Sequence, residues 1–307
     1  MLAHAPPSAF YRRYRSDGAI SASYDPVQTS PPCEHARMIQ PIHATLLGIV
    51  EGLTEFLPVS STGHLILVSH LLHLEGDAIN TFDIVIQGGA LGAVLGLYRD
   101  RVLAMWNGLW GYDAPGRKLL TQLVVSFLPA AIVGVLLHKL IQQRLFQIWP
   151  VTAALAVGGL VMVIVDRWFR ARGALRSQTL NDVTFSQAFM IGLAQCLSLW
   201  PGTSRSMVTI VAGMILGLPA TVAAEYSFLL ALPTLGAATV FDALSEGHAL
   251  LQQMSVVSVV CGFVAATVVA ILAIRGFVRF LTHRGLAIFG WYRIALAAAM
   301  WWIAPHV

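Results

Sequence analysis

Residues 48–67, GIVEGLTEFLPVSSTGHLIL, place two glutamates, a proline, several hydroxyl side chains and a histidine inside an otherwise apolar stretch. The apolar residues suit a lipid bilayer, whereas ionisable groups at that depth are costly and mark a functional site by default. Glu51, Glu55 and His64 therefore need an explanation that hydrophobicity alone does not supply.

The whole chain is far more apolar than a soluble domain. Of its 307 residues 57% are hydrophobic and 11% are charged, and the mean hydropathy is +0.71, whereas soluble domains carry about 25% charged residues. The basic residues lie in short loops between apolar segments, so the net charge of +4 does not point to a nucleic-acid partner. Composition indicates an all-α polytopic membrane protein surrounded by membrane lipid.

Six apolar stretches are long enough to cross a bilayer as helices: 81–98, 119–138, 150–168, 222–242, 251–274 and 286–304. Two further apolar segments, 42–74 and 184–217, are interrupted by Pro58 with Gly63 and by Pro201-Gly202 respectively. Non-helical backbone at membrane depth survives only when it is buried in protein or lines a wet cavity. We therefore expect both segments to be re-entrant helical hairpins that enter and leave on the same side.

Loops rich in Lys and Arg alternate along the chain with loops that are poor in them. The rich loops are 99–118, 166–183 and 275–285, whereas 139–149 and 243–250 hold few basic residues or none. The positive-inside rule places the rich loops in the cytoplasm, so both termini face outward.

A shift of 144 residues aligns the chain partly with itself. Gly48 then falls on Gly192, and after a one-residue gap Ser61 falls on Ser204. Repeat 1 covers about 42–168 and repeat 2 about 184–304. Each copy has one hairpin and three membrane crossings. Because the number of crossings is odd, the second copy lies in the membrane in the opposite orientation. The two hairpins then enter from opposite sides, and their tips can meet near the midplane. Inverted repeats with broken helices at the midplane are the build of many secondary transporters.

Residues 1–40 differ from the rest, being rich in Ser, Pro, Tyr and Arg without an apolar run. They lack the apolar core of a signal peptide. We interpret them as a disordered tail or as an over-extended start with Met38 as the initiator, and residues 41–307 as a single integral-membrane domain. Arginines on the predicted outer side favour the second interpretation of the tail.

Glu51 and Glu55 are four residues apart and share one helix face. Two carboxylates so close in an apolar site repel each other unless something positive lies between them. The candidates are a divalent cation, a proton or an arginine, and oxygen ligands suit Mg²⁺ or Ca²⁺. The alternative is a glutamate pair that faces a wet cavity without metal.

Ser61 and His64 are spaced by three residues, which suits a hydroxyl activated by an imidazole if a helix starts near Ser60. Taken alone, Pro-Val-Ser-Ser-Thr favours a plain helix N-cap, whose hydroxyls satisfy the first free N–H groups. Both interpretations can hold together, because a helix N-terminus is also an anion site.

Arg205 lies among hydroxyls after the second break, with Ser204 and Ser206 beside it and Thr209 one turn on. Its partner is either a glutamate of the first hairpin or a phosphate, which a guanidinium grips bidentately. The hydroxyl-rich surroundings favour the phosphate. Gln87 and Asp83 begin the 81–98 span and are candidates to line the cavity, although an interfacial position suits Asp83 better.

Two motifs resemble those of a known family. EGLTEFLPVSSTGH at 51–64 and PGTSRSMVT at 201–209 closely resemble the signature stretches of the undecaprenyl-pyrophosphate phosphatases of the bacitracin-resistance type. The resemblance runs from about Met38 to the C-terminus and includes TFDIVIQGGALGAV, FSQAFMIGLAQCLSLWPG and EYSFLLALPT. Met207-Val208 depart from the pattern, where small residues such as Gly-Ala are expected, and these bulkier side chains are expected to narrow the second tip.

The resemblance implies hydrolysis of a polyprenyl pyrophosphate lipid to its monophosphate, a divalent cation (Mg²⁺ or Ca²⁺), and a site that opens to the outer, periplasmic face of the bacterial inner membrane. Carried over by motif, Glu51 and Glu55 are expected to bind the metal and to act as acid or base. Ser61 and His64 are expected to act in nucleophilic attack or proton transfer. Arg205 is expected to bind the pyrophosphate, with support from Ser204, Ser206 and Thr209. Ser60, Thr62 and Gln87 complete the expected substrate-binding set. Whether Ser61, His64 or water attacks phosphorus stays open, as does the oligomeric state, for which a homodimer is one option.

Two other functions compete with this one. Lipid phosphatases of the acid-phosphatase-like class need a histidine six residues after a Ser-Arg pair, and residues 206–211 contain none. A flippase or transporter of a polyprenyl phosphate lipid fits the inverted repeat equally well. Ser61 and His64 favour chemistry over transport, because a carrier needs no nucleophile.

Overall fold

The computed structural model describes residues 39–74, 77–145, 147–171, 178–253 and 255–303. Throughout these ranges the chain is helical or irregular, without a β-strand. The described helices are α1 (Pro41–Thr54), α2 (Ser61–Leu71), α3 (Asp77–Leu97), α4 (Arg99–Leu109), α5 (Ala114–Leu145), α6 (Ile148–Ala171), α7 (Phe185–Gln195), α8 (Arg205–Ile215), α9 (Ala220–Gln253), α10 (Val256–His283) and α11 (Ala287–Ile303), with 3-10 turns at Leu180–Asp182 and Cys196–Leu199. The predicted tail, 1–38 of it, lies outside the described residues.

Among the described helices, four are long and apolar enough to cross a membrane. They contain the segments Ala114–Leu137, Ile148–Ala171, Ala220–Phe241 and Val256–His283. These segments match four of the six predicted spans. The other two are shorter, since the apolar part of α3 is Phe82–Leu97 and α11 has 17 residues. The structure therefore confirms an all-helical fold for the described residues, with four helices that are long and apolar enough to cross a membrane.

Several segments predicted as loops are helical. Residues 99–118 contain α4 and the start of α5, residues 243–250 lie within α9, and most of 275–285 lies within α10. The prediction was wrong there because hydropathy marks where a helix leaves the hydrocarbon, whereas the helix itself ends where its backbone is capped. Most basic residues of 99–118 and 275–285 therefore lie on helices and not in loops.

Both predicted hairpins are present as broken helices, and their second helices have matching ends. The first residues of α1 and α7, and both ends of α2 and α8, are 144 positions apart. Ser60 and Ser204 cap the two second helices, each with a positive φ (75° and 71°) and each accepting a hydrogen bond from the backbone N–H three residues on. The predicted one-residue gap was therefore wrong at this point, because the caps show that Ser61 corresponds to Arg205.

The first hairpin is held by a close crossing of α1 and α10. A methyl group added at Gly48 would collide with the carbonyl oxygen of Gly262, and one at Gly52 would collide with that of Ala266. Small residues allow membrane helices to approach until their backbones touch. This crossing fixes the depth of Glu51, which lies between the two glycines.

We expect Gly48→Ala to lower the thermal unfolding temperature of the protein in detergent, since an added methyl group must push α1 away from α10. Overpacking of this kind costs about 1–3 kcal/mol. Gly276→Ala is the matched control, because nothing lies within 4 Å of the new methyl group on α10. Equal unfolding temperatures for the two variants would contradict the close crossing.

Candidate active site

A buried ion pair connects the two hairpin tips. Glu55 follows the last residue of α1, and Arg205 is the first residue of α8. Arg205 Nη2 lies 3.1 Å from Glu55 Oε1, and each side chain is only 7% exposed. The structure therefore confirms a glutamate as a partner of Arg205, in the place where a phosphate was favoured.

Ser61 joins the same group of side chains. Its hydroxyl donates to Glu55 Oε2 at 2.6 Å, so the two carboxylate oxygens are taken by different hairpins. Ser61 is the first residue of α2, as Arg205 is of α8. Two helix N-termini thus meet at Glu55, and free N–H groups at such ends favour anions.

The hydroxyls around Arg205 hold the second tip in place. Ser206 donates to the carbonyl oxygen of Leu57 at 3.0 Å and therefore ties the tip to the first hairpin. The hydroxyl of Thr209 lies 2.6 Å from the hydroxyl of Ser227 on α9. The backbone carbonyl of Ser227 accepts a hydrogen bond from Arg205 Nη1 at 2.8 Å. Ser204 caps α8. Arg205 Nε is buried without a hydrogen-bond partner, so one donor of the guanidinium remains for an anion.

Carboxylates outnumber cations near Glu51. Its side chain is buried, and its Oε2 has no hydrogen-bond partner. The charged groups that act on it are Glu55, Asp83 and Arg205, so three carboxyl groups face one guanidinium. Asp83, expected at an interface, has a buried and unpaired Oδ1. An unpaired carboxylate in a low-dielectric site is costly, so these carboxyl groups either hold a proton or would be balanced by a divalent cation.

The predicted contact between Ser61 and His64 is replaced by two others. Ser61 is turned towards Glu55, whereas His64 Nδ1 lies 2.7 Å from the carbonyl oxygen of Ser60 and Nε2 lies 2.6 Å from the hydroxyl of Tyr292. The helical spacing of three brings the two residues to one side of α2, but the neighbouring acceptors decide where each side chain points. Thr62 lies half-buried in the same helical turn.

Two further expectations concern residues that lie away from the ion pair. The structure places Gln87 beside α9, where its Oε1 accepts from Thr239 at 3.3 Å. Its role in substrate binding stays a prediction. Met207 and Val208 are buried in the hydrophobic core, and Met207 packs against Gly158 of α6. Their extra bulk is thus accommodated in the core.

Sequence analysis missed Arg293, which is the largest of the fully buried side chains that the structure describes. Its Nη2 donates to the carbonyl oxygens of Gly202 and Ala154 at 2.9 and 3.1 Å, and its Nη1 to that of Pro58 at 3.5 Å. It therefore binds the backbone of both breaks and of α6. The rule that singled out Arg205, an arginine inside an apolar segment, would have found it in the 286–304 span.

The fold and the site together define an integral membrane protein that holds groups suited to phosphoryl chemistry between two helical hairpins. Comparison with known sequences gives the family. The chain belongs to the family of the bacitracin resistance protein BacA, whose model matches residues 44–299.

Curated relatives cover most of the chain. It is 51% identical over 261 residues to an undecaprenyl-diphosphatase of Sorangium cellulosum, with 85% of each chain covered. It is 44% identical over 255 residues to an undecaprenyl-diphosphatase of Methylococcus capsulatus, covering 83% of this chain and 91% of the relative. It is also 40% identical over 255 residues to undecaprenyl-diphosphatase 2 of Shewanella oneidensis, covering 83% of this chain and 95% of that protein.

We expect Arg293→Lys to lower the free energy of unfolding in mixed micelles by about 2 kcal/mol or more, because hydrogen bonds to a charged group contribute about 1.5–3 kcal/mol each. A lysine ammonium cannot reach carbonyls on both breaks and on α6 from one position. Arg275→Lys, at an exposed position of α10, is the matched control and should change stability by less than about 0.5 kcal/mol. A similar small effect at both positions would show that Arg293 does not hold the breaks together.

Proposed function

We propose that this protein hydrolyses undecaprenyl diphosphate to undecaprenyl phosphate and inorganic phosphate, which recycles the lipid carrier of cell-wall synthesis and confers resistance to bacitracin. The observation that carries the proposal is the chain of contacts from Arg205 to Glu55 to Ser61 across the two tips. Relatives that share 40–51% of their residues with the chain are named undecaprenyl-diphosphatases, which supports the same activity.

In this proposal the diphosphate binds where the N-termini of α2 and α8 meet. Arg205 grips a phosphoryl oxygen through its unpaired Nε, and the helix N-termini add N–H donors, so charge that develops in the transition state is stabilised. Glu55 is placed to accept the proton of the Ser61 hydroxyl, which would activate that oxygen for attack on the terminal phosphorus. The bond from this phosphorus to undecaprenyl phosphate then breaks. Water releases the phosphate from Ser61 in a second step.

A divalent cation fits the carboxylate side of the site. In the part of the chain that the structure describes, no three His, Cys, Asp or Glu side chains are grouped as a complete metal site. Mg²⁺ usually takes one or two carboxylates and completes its shell with water and substrate phosphates, which favours Mg²⁺ over Ca²⁺ here. Glu51 would hold the ion beside Glu55, and the ion would neutralise charge on the diphosphate.

The proposed topology has six membrane crossings and two re-entrant hairpins in an inverted repeat. The 144-residue correspondence of the two broken helices supports the repeat. The basic residues at the ends of α4, α5 and α10 support a cytoplasmic side opposite to the site. The site would then open to the periplasmic face of the bacterial inner membrane. A homodimer stays a prediction.

We expect Ser61→Ala and Arg205→Lys to lower the rate of phosphate release from undecaprenyl diphosphate by about 10²-fold or more, since each removes a group that acts in the transition state. The measurement is phosphate release by purified protein in detergent with Mg²⁺. Ser69→Ala on the same helix α2 and Arg275→Lys on α10 are matched controls that should stay within about twofold of the parent.

The same experiment separates the phosphatase from the flippase or transporter of a polyprenyl phosphate lipid. A folded parent protein that binds the lipid but releases no phosphate would contradict hydrolysis and leave the carrier. Turnover that survives Ser61→Ala would remove the serine from the mechanism while leaving the activity intact.

We expect Glu51→Gln to raise the Mg²⁺ concentration for half-maximal activity by about tenfold or more, because changes even in the outer shell of a metal site weaken binding about 10- to 100-fold. Direct binding of Mn²⁺, followed by its electron paramagnetic resonance signal, provides a readout that does not depend on turnover. Glu225→Gln, on α9 beside Arg101, is the matched control. Unchanged Mn²⁺ binding in Glu51→Gln would contradict Glu51 as a ligand.

A further inference from the structure

His64 is bound from two sides, and its contacts decide which ring nitrogen carries the proton. Nδ1 lies 2.7 Å from the carbonyl oxygen of Ser60, four residues earlier. A carbonyl oxygen can only accept a hydrogen bond, so Nδ1 must be the donor. In the neutral imidazole Nε2 then keeps its lone pair. Nε2 is therefore the nitrogen that can take a proton, provided that nothing else occupies it.

Tyr292 occupies Nε2. The hydroxyl of this α11 residue lies 2.6 Å from Nε2, and since Nε2 bears no proton the phenol must be the donor. The two rings are nearly parallel, with an angle of 6° between their planes and 5.7 Å between their centroids. The hydrogen bond and the ring contact together hold the imidazole at one angle relative to α2.

Tyr292 can leave His64 without disturbing the core. It is 47% exposed, and its neighbours Trp291 and Ile288 are exposed as well. The next residue, Arg293, is fully buried and binds the backbone of both breaks. The backbone of α11 is thus anchored to the site, while the tyrosine side chain lies at its rim and is free to turn towards the lipid.

We propose that Tyr292 is a positioning residue for His64. With the Ser60 carbonyl it keeps the imidazole in the Nδ1–H tautomer. Its hydroxyl also caps Nε2 until an O–H donor of the reaction, a water or a phosphoryl hydroxyl, takes its place. The inference rests on the proposed function and adds to it His64, for which the resemblance of its motif to the phosphatases implies nucleophilic attack or proton transfer. The tautomer and the cap are properties of the protein itself and do not depend on the substrate.

Diethyl pyrocarbonate tests the cap, because this reagent acylates the imidazole nitrogen that has a free lone pair. Tyr292→Phe keeps the ring contact and removes only the hydroxyl. We expect carbethoxylation of His64, measured by site-resolved mass spectrometry relative to the exposed His73 of the same hairpin, to become about fivefold faster, the factor that one net hydrogen bond contributes. Tyr112→Phe makes the same chemical change at an exposed position and should leave the ratio unchanged.

Kinetics test the positioning. In Tyr292→Phe we expect kcat for phosphate release to fall about tenfold with KM unchanged, since Nε2 acts in proton transfer and Arg205 still binds the diphosphate. A His64 labelling rate equal to that of the parent would overturn the proposal, and so would a loss confined to KM. If the parent protein releases no phosphate, the proposed function fails, while the labelling ratio still decides whether Tyr292 caps Nε2.

Discussion

The ion pair of Arg205 with Glu55 is the contact on which the two halves of the molecule depend. Each charge lies at a break in a helix and is buried in the protein, where water cannot solvate it. Breaking a buried pair by removing one partner costs about 3–5 kcal/mol, because the other charge is left uncompensated. The second carboxylate oxygen of Glu55 accepts a hydrogen bond from Ser61, and Arg205 Nη1 donates to the Ser227 carbonyl, whereas Arg205 Nε has no acceptor. Each break is therefore stable only in the presence of the other.

The backbone at the two helix breaks adopts conformations that are unfavourable in free energy. Ser60 and Ser204 adopt a left-handed φ that costs about 1–3 kcal/mol in a non-glycine residue. The carbonyls of Pro58 and Gly202, which no helix can satisfy, accept hydrogen bonds from Arg293. Irregular backbone persists in a membrane when such partners are supplied from within the protein. The strained caps aim the N-termini of α2 and α8 at the same carboxylate, and this makes the site suited to an anion.

The site is not fully satisfied in its own right. Arg205 Nε has no acceptor, and Glu51 Oε2 and Asp83 Oδ1 have no hydrogen-bond donor. Buried groups of both signs that are left unpaired in this way suit a ligand that brings negative charge together with a metal ion. A diphosphate with Mg²⁺ has that composition. Instability that is confined to these few atoms is the expected cost of binding such a ligand strongly.

Several residues that meet at the tips could be predicted from the sequence, because the prediction depends on residue types and short spacings. Glu51, Glu55, Ser61 and Arg205 are ionisable or nucleophilic residues near Pro and Gly in apolar segments, a pattern that indicates a functional site by default. The two broken helices followed from the same residues. Hydropathy located the spans but misplaced their ends, since polar residues beyond the hydrocarbon continue α5, α9 and α10 as helix.

The pairing of side chains was decided by the tertiary structure alone. Ser61 and His64 are neighbours in sequence, yet Ser61 binds Glu55 and His64 binds Tyr292, 228 residues further along. The site also contains residues from three other helices: Asp83 of α3, Ser227 of α9 and Arg293 of α11. No local sequence motif indicates which residues these three contact. Spacing along a helix specifies which side chains share a face. Which acceptor each one reaches depends on the helices packed opposite, and only the folded chain brings those together.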